Sequence, residues 1–126
     1  MTNDPLAKLD RVLIEVIDAS VHLEMRLASD PNRVATRGTR GFPDLLEGEA
    51  KELRNATGSD APRPQMSSED IDIVQDAIEA WSEARDYASA LNVPDGHTEI
   101  TLAQENQLLD RPRATARAVQ DIVFRA

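Results

Sequence analysis

The feature that most constrains the fold is a long apolar run with helical spacing near the start of the chain. One stripe alternates spacings of three and four residues, interrupted only by Ser20, and consists of Leu6, Leu9, Leu13, Val16, Leu23 and Leu27. A second stripe beside it consists of Ile14, Ile17, Val21 and Met25. Asp4 and Pro5 favour a helix start, and Pro31 disfavours helical continuation. The pattern predicts a helix over residues 5–29 that must be covered on more than one side.

A second long helix is predicted over residues 68–92. Ser67 or Ser68 provides a hydroxyl N-cap, and two acids follow in the first turn, where the helix dipole favours negative charge. Apolar residues at helical spacing define one buried stripe, which consists of Ile71, Val74, Ile78, Trp81, Ala84, Ala88 and Leu91. Residues 92–96 contain asparagine, proline and glycine and end the pattern.

Shorter elements lie between and after these helices. Residues 31–42 lack sustained periodicity and are predicted to form a flexible basic loop. Pro43 is predicted to open a short helix, and residues 58–66, which include two prolines, form a linker. These segments give the connections of a compact helical fold.

The C-terminal part of the chain is predicted to hold one or two more helices. Thr101 with Gln104 has the spacing of a capping box, and Pro112 predicts a kink or a break before a last helix. Residues 97–102 are a weak strand candidate. The chain of 126 residues is therefore expected to form a single all-α domain, residues 1–126, built as a small bundle of three to five helices.

The net charge of −9 at pH 7 is unevenly distributed along the chain. Residues 67–92 contain seven acids against Arg85 alone, whereas residues 111–126 contain four arginines against Asp121. The overall charge argues against direct binding driven by the phosphates of nucleic acid or of an anionic membrane. We expect the basic C-terminal segment to pack beside the acidic helix.

Composition also indicates a compartment. Cysteine is absent, which excludes disulfides and thiolate metal sites. The first residues carry an acid where a signal peptide needs basic residues, and no apolar run is long enough to span a membrane. We therefore expect a soluble, cytoplasmic protein.

The acids of the second long helix form one row at spacings of 3, 4, 3, 4 and 3 residues: Glu69, Asp72, Asp76, Glu79, Glu83 and Asp86. Such a row is either a solvated face or a docking surface for a basic partner. The candidate partner-binding residues are Asp72, Asp76, Glu79 and Glu83, together with Arg37 and Arg40 of the basic loop. If the row imitates a phosphate backbone, the chain would act as an acidic decoy of a nucleic-acid-binding protein.

Two acidic pairs form a candidate metal site. Glu49 and Glu52 lie three residues apart, as do Glu83 and Asp86, so each pair shares one helix face. If the two helices pack side by side, four carboxylates converge and offer Mg²⁺ the oxygen ligands it prefers. The sequences Gly-Glu-Ala-Lys-Glu-Leu at residues 48–53 and Glu-Ala-Arg-Asp at residues 83–86 resemble motifs of the MazG-like all-α nucleoside triphosphate pyrophosphohydrolases. The resemblance implies a Mg²⁺-dependent enzyme in which these carboxylates bind the ions that assist water attack on a nucleotide's phosphate chain.

The leading hypothesis from the sequence is a non-catalytic helical interaction module, such as an assembly subunit, an adaptor or a regulator, that needs no cofactor. The two apolar stripes of the first helix favour it. A chain this small has few other helices to cover both stripes, so we expect one apolar face to be covered by a partner, most simply another copy of the chain. The pyrophosphohydrolase and the decoy are the alternatives. The direction and the pairing of the acids in residues 68–92 distinguish the three hypotheses. The enzyme requires acids that point inward toward Glu49 and Glu52. The decoy requires acids that point outward and are unpaired, and the module predicts acids that point outward and are paired.

Overall fold

The computed structural model describes residues 4–29, 37–58, 64–91 and 102–125, apart from the side chains of residues 27–29, 37–41, 102, 104 and 105. Within these ranges the chain forms four α-helices and no strand: α1 (Pro5–Ser29), α2 (Arg37–Thr57), α3 (Ser68–Leu91) and α4 (Leu102–Phe124). The all-α bundle expected from the sequence is confirmed, and α1 and α3 begin where the sequence patterns place them. None of the described helices combines the length and apolarity needed to cross a membrane.

Helix α1 is built around its first apolar stripe. The N–H of Leu6 donates to Asp4 Oδ1 at 3.1 Å, which caps the helix start. The stripe is completely buried at Leu6, Leu9, Leu13, Val16 and Leu23. Ser20 interrupts it, and its buried hydroxyl donates to the Val16 carbonyl at 2.8 Å. Because this bond satisfies the hydroxyl, the serine is accommodated within the core.

Helix α2 begins earlier than predicted. Its backbone is helical from Arg37, so the prediction of a loop over residues 31–42 is wrong for residues 37–42; residues 31–36 lie outside the described ranges. Phe42 is completely buried, and its ring meets that of Tyr87 edge to face at 5.9 Å. Burial of a phenylalanine contributes about 2–3 kcal/mol, which offsets the roughly 3 kcal/mol that Pro43 costs inside a helix. Phe42 thus anchors α2 in the core immediately before Pro43.

The predicted linker over residues 58–66 lies between α2 and α3. Gly58 and residues 64–66 are not helical, and residues 59–63 lie outside the described ranges. Met66 packs against the core as a partly buried side chain. The chain therefore contacts the bundle again just before α3 begins.

Two reciprocal hydrogen bonds start α3. The N–H of Asp70 donates to Ser67 Oγ at 3.2 Å, and the N–H of Ser67 donates to Asp70 Oδ2 at 3.0 Å. This is a capping box in which aspartate replaces the more usual glutamate. Arg125, just after α4, donates to the same Asp70 Oδ2 at 2.8 Å. The backbone N–H of Ser67, followed by the Arg125 guanidinium, lowers the pKa of Asp70 below its ordinary value.

Replacing Asp70 with asparagine is expected to destabilise the fold in a pH-dependent way. Folding lowers the pKa of Asp70 below 3.8, so the stabilisation is complete above pH 3.8 and is lost as the pH falls through the folded-state pKa. Urea unfolding followed by circular dichroism from about pH 2.5 to about pH 7 should show a difference between wild type and variant that shrinks toward acid. Asp72→Asn is the control, because Asp72 is exposed and makes no hydrogen bond within the described ranges. A loss for Asp70→Asn that is independent of pH would contradict the prediction.

Each helix packs against two others. Helix α1 lies against α2 and α3, and α4 lies against the same two helices from the opposite side of the bundle. Arg54 Nε lies 3.1 Å from Asp10 Oδ1 and links the end of α2 to the start of α1. The Arg125–Asp70 contact links the end of α4 to the start of α3 in the same way. Consecutive helices are therefore antiparallel, and α2 and α3 lie across the bundle from each other.

Of the kink or break predicted at Pro112, the break is wrong, because helix α4 is continuous from Leu102 to Phe124. The strand candidate is also wrong at Leu102, which begins this helix, while residues 97–101 lie outside the described ranges. Pro112 is buried, and the arginines on both sides of it bind acids of neighbouring helices. Together with the burial of Pro112, these contacts on both sides of it help to offset the loss of a backbone donor at this position. They also confirm that the basic C-terminal segment packs beside the acidic helix.

Candidate interaction surfaces

The bundle leaves the second apolar stripe of α1 only partly covered. Ile17 is partly buried against the core and Val21 is half-buried, but 42% of Ile14 and 64% of Met25 remain exposed. With two exposed charged residues they form one row at spacings of three and four residues. This row is called the outer stripe and consists of Arg11, Ile14, Asp18, Val21 and Met25. Helices α2 and α3 thus cover α1 from two sides without enclosing its outer stripe.

The two charged residues of the outer stripe, Arg11 and Asp18, form no strong ion pair with other described residues. Arg11 is exposed and has no ion-pair partner within the described ranges. Glu15, one turn away, is instead bound by Arg85 of α3. Asp18 Oδ1 lies 3.5 Å from His22 Nε2, and both side chains are largely exposed. The outer stripe therefore presents one positive and one negative charge around Ile14.

A single arginine spans the acidic row of α3. Arg111 of α4 donates from Nη2 to Asp76 Oδ1 at 2.8 Å and from Nη1 to Glu83 Oε2 at 2.9 Å. Its Nη2 also lies 3.5 Å from Glu79 Oε2. The hydrogen bonds to Asp76 and then Glu83 raise the pKa of the Arg111 guanidinium. The middle of the row is thus neutralised in part from within the chain.

The predicted partner-binding residues divide into three groups. Asp76, Glu79 and Glu83 are exposed and bound to Arg111, whereas Asp72 is exposed with no ion pair in the described part of the chain. Arg37 and Arg40 lie on the first turns of α2, and their side chains are outside the described set. A basic partner at the row would have to compete with Arg111. The acids of the row point outward, and four of the six are paired.

Three of the four predicted metal ligands belong to separate ion pairs. Glu49 Oε1 accepts from Arg113 Nε at 2.6 Å, and Glu83 accepts from Arg111. Asp86 Oδ1 accepts from Nε and Nη2 of Arg85, both at 3.1 Å, while Glu52 is exposed. Because α2 and α3 do not pack side by side, the structure does not bring these four carboxylates together. The geometry that a shared Mg²⁺ ion requires is absent from this set.

A different group of acids, which no pattern in the sequence indicates, lies close together. Carboxylate oxygens of Glu24, Asp44 and Glu47 lie within 4.8 Å of one another, which among the described residues is the group close enough to share a cation. The charge of Asp44, followed by burial, raises the pKa of Glu24. Lys51 Nζ lies 2.7 Å from Glu47 and partly neutralises the cluster. The group joins α1 to α2, and helical periodicity within either segment does not reveal such contacts between helices.

A surface groove of about 670 Å³ lies between α1 and α3. Ile71 and Ile78 supply its apolar lining, and Lys8 supplies a positive charge. Its acids are Asp72, Asp76 and Glu79, two of which bind Arg111. The groove thus combines apolar side chains with charges of both signs.

Comparisons of the chain with protein-family models, with curated proteins and with solved structures find no match.

Proposed function

We propose that the chain is a non-catalytic helical interaction module that associates with a second copy of itself through the outer stripe of α1. The observation that carries the proposal is the contrast between the two stripes of that helix. The first is buried completely at five apolar positions, whereas Ile14 and Met25 of the outer stripe remain 42% and 64% exposed. Apolar residues repeated along one helix face are typical of a surface that another helix covers.

The arrangement of the acids supports a module over the two alternatives. Their outward direction disfavours the enzyme, whose metal site needs carboxylates that converge. The decoy needs a row of free charges, but Arg111 occupies three acids of that row. Outward, paired acids match the expectation for the interaction module. The proposal requires no cofactor, and it keeps the cytoplasmic location expected from the sequence.

A second copy is the simplest occupant of the outer stripe. Two-fold pairing about Ile14 buries this side chain on both chains at once, and no other protein is needed. The exposed apolar row is short, so the association is expected to be weak, with a dissociation constant in the micromolar range or above. Such a contact depends on concentration and permits regulated assembly.

The test is sedimentation velocity of the wild-type chain from about 1 µM to about 500 µM. The expected weight-average mass rises with concentration from 13.9 kDa toward twice that value. The same series in about 1 M salt separates apolar from ionic contributions, because exposed charges are then screened. A mass of 13.9 kDa at every concentration in both buffers would overturn self-association.

A further inference from the structure

We infer that the second copy docks with its α1 antiparallel to the first, about a two-fold axis beside Ile14, so that Arg11 of each chain faces Asp18 of the other. This inference rests on the proposed self-association and specifies its geometry. It goes further because it fixes the direction and the register of the two helices.

Charge placement within the outer stripe leads to this arrangement. Arg11 and Asp18 lie on the same side of α1 with Ile14 between them. Seven residues of helix separate them by about 10 Å, so they do not pair within one chain. An antiparallel copy brings each charge opposite its complement, which gives two reciprocal ion pairs around a central contact between the two Ile14 side chains. In this register Val21 and Met25 lie beyond the ion pairs, at the edges of the contact. Parallel copies would instead place like charges opposite each other.

Both charges are available for such pairing. Arg11 is exposed and has no ion-pair partner in the described part of the chain, because its neighbour Glu15 is bound by Arg85. Among the described residues, the ion-pair partner of Asp18 is His22, at 3.5 Å and on an exposed surface. A uniformly basic or acidic partner would be attracted by one charge and repelled by the other. The mixed charge of the stripe therefore fits a second copy better than either kind of partner.

The absence of cysteine allows a direct test of register in the full chain. The variants Arg11→Cys and Asp18→Cys are mixed in equal amounts under mild oxidation, and the disulfide-linked peptides are identified by mass spectrometry. In the antiparallel register the mixed pair forms a bond between positions 11 and 18 and keeps one native ion pair. The expected product is therefore the 11–18 disulfide, formed at least tenfold faster than the 11–11 or 18–18 product.

The outcomes separate this inference from the function on which it rests. Predominant 11–11 and 18–18 disulfides would overturn the antiparallel register while self-association survives. Cross-linking no faster than for Leu45→Cys on α2, in a chain that sediments as a dimer, would place the interface elsewhere and overturn the inference. A chain that sediments as a monomer at every concentration would remove the proposed function itself.

Charge reversal supplies a second readout that does not use cysteine. Arg11→Asp turns both ion pairs into repulsive contacts and is expected to raise the dissociation constant about tenfold. Adding Asp18→Arg to the same chain restores both pairs with reversed polarity and should return the dissociation constant to within about threefold of wild type. Failure of the double variant to recover, with its fold intact by circular dichroism, would contradict the reciprocal pairing.

Discussion

Replacing Trp81 with alanine is expected to remove about 3–5 kcal/mol of folding free energy. Trp81 is completely buried and is the largest fully buried side chain among the described residues. Deleting its indole leaves a cavity in the shared core of the four helices, which packed neighbours fill only in part. A domain of this size is typically stable by about 5–15 kcal/mol, so the variant should lose a large fraction of its folding free energy. Urea unfolding by far-UV circular dichroism, in dilute protein, measures the loss.

Trp81→Phe is the matched control for this prediction. The indole Nε1 has no hydrogen-bond partner within the described ranges, so phenylalanine removes a buried donor that is not satisfied there. It also retains most of the apolar volume. We therefore expect Trp81→Phe to cost clearly less than Trp81→Ala. A Trp81→Ala variant within about 1 kcal/mol of wild type would mean that the tryptophan is not central to the core.

The two long helices were predictable because their signals are local. Apolar residues spaced by three and four, a capping residue before them and a breaker after them all lie within one continuous segment. Asp4 caps α1 and Ser67 caps α3 as their residue types suggest. Such features depend on backbone geometry within a few turns, so the sequence specifies them without knowledge of the neighbouring helices.

Two of the wrong predictions concern prolines inside helices. The sequence places Pro43 at a helix start and predicts a kink or a break at Pro112, since local chemistry disfavours proline inside a helix. In the structure Phe42 anchors the helix around Pro43 in the core, and the arginines beside Pro112 form ion pairs with two other helices. These stabilising contacts come from residues distant in sequence, so local patterns do not reveal them.

The candidate surface was predictable in part. Ile14, Val21 and Met25 were recognisable as a second apolar stripe, but their exposure depends on how α2 and α3 sit against α1. The same limit applies to the acidic row, where periodicity places Asp76, Glu79 and Glu83 on one face but does not identify Arg111 as their partner. Helix faces follow from the sequence, whereas contacts between helices require the fold.

The Ile14→Lys variant is expected to remain folded and to lose self-association. Ile14 is 42% exposed, so within one chain the substitution should change the free energy of unfolding by only about 0.5 kcal/mol. In the dimer it replaces an apolar contact with a charge on both chains. A loss of about 1 kcal/mol on each side of a two-fold interface raises the dissociation constant about thirtyfold. Leu45→Lys is the matched control, because Leu45 is 40% exposed and lies on α2 away from the outer stripe.

The most direct test of the account is sedimentation equilibrium of wild type, Ile14→Lys and Leu45→Lys, measured side by side over the same concentrations. The proposed interface predicts that wild type and Leu45→Lys share one dissociation constant, and that Ile14→Lys is monomeric where the other two dimerise. Equal dissociation constants for all three proteins would contradict a role for the outer stripe, as would an equal weakening in the two lysine variants.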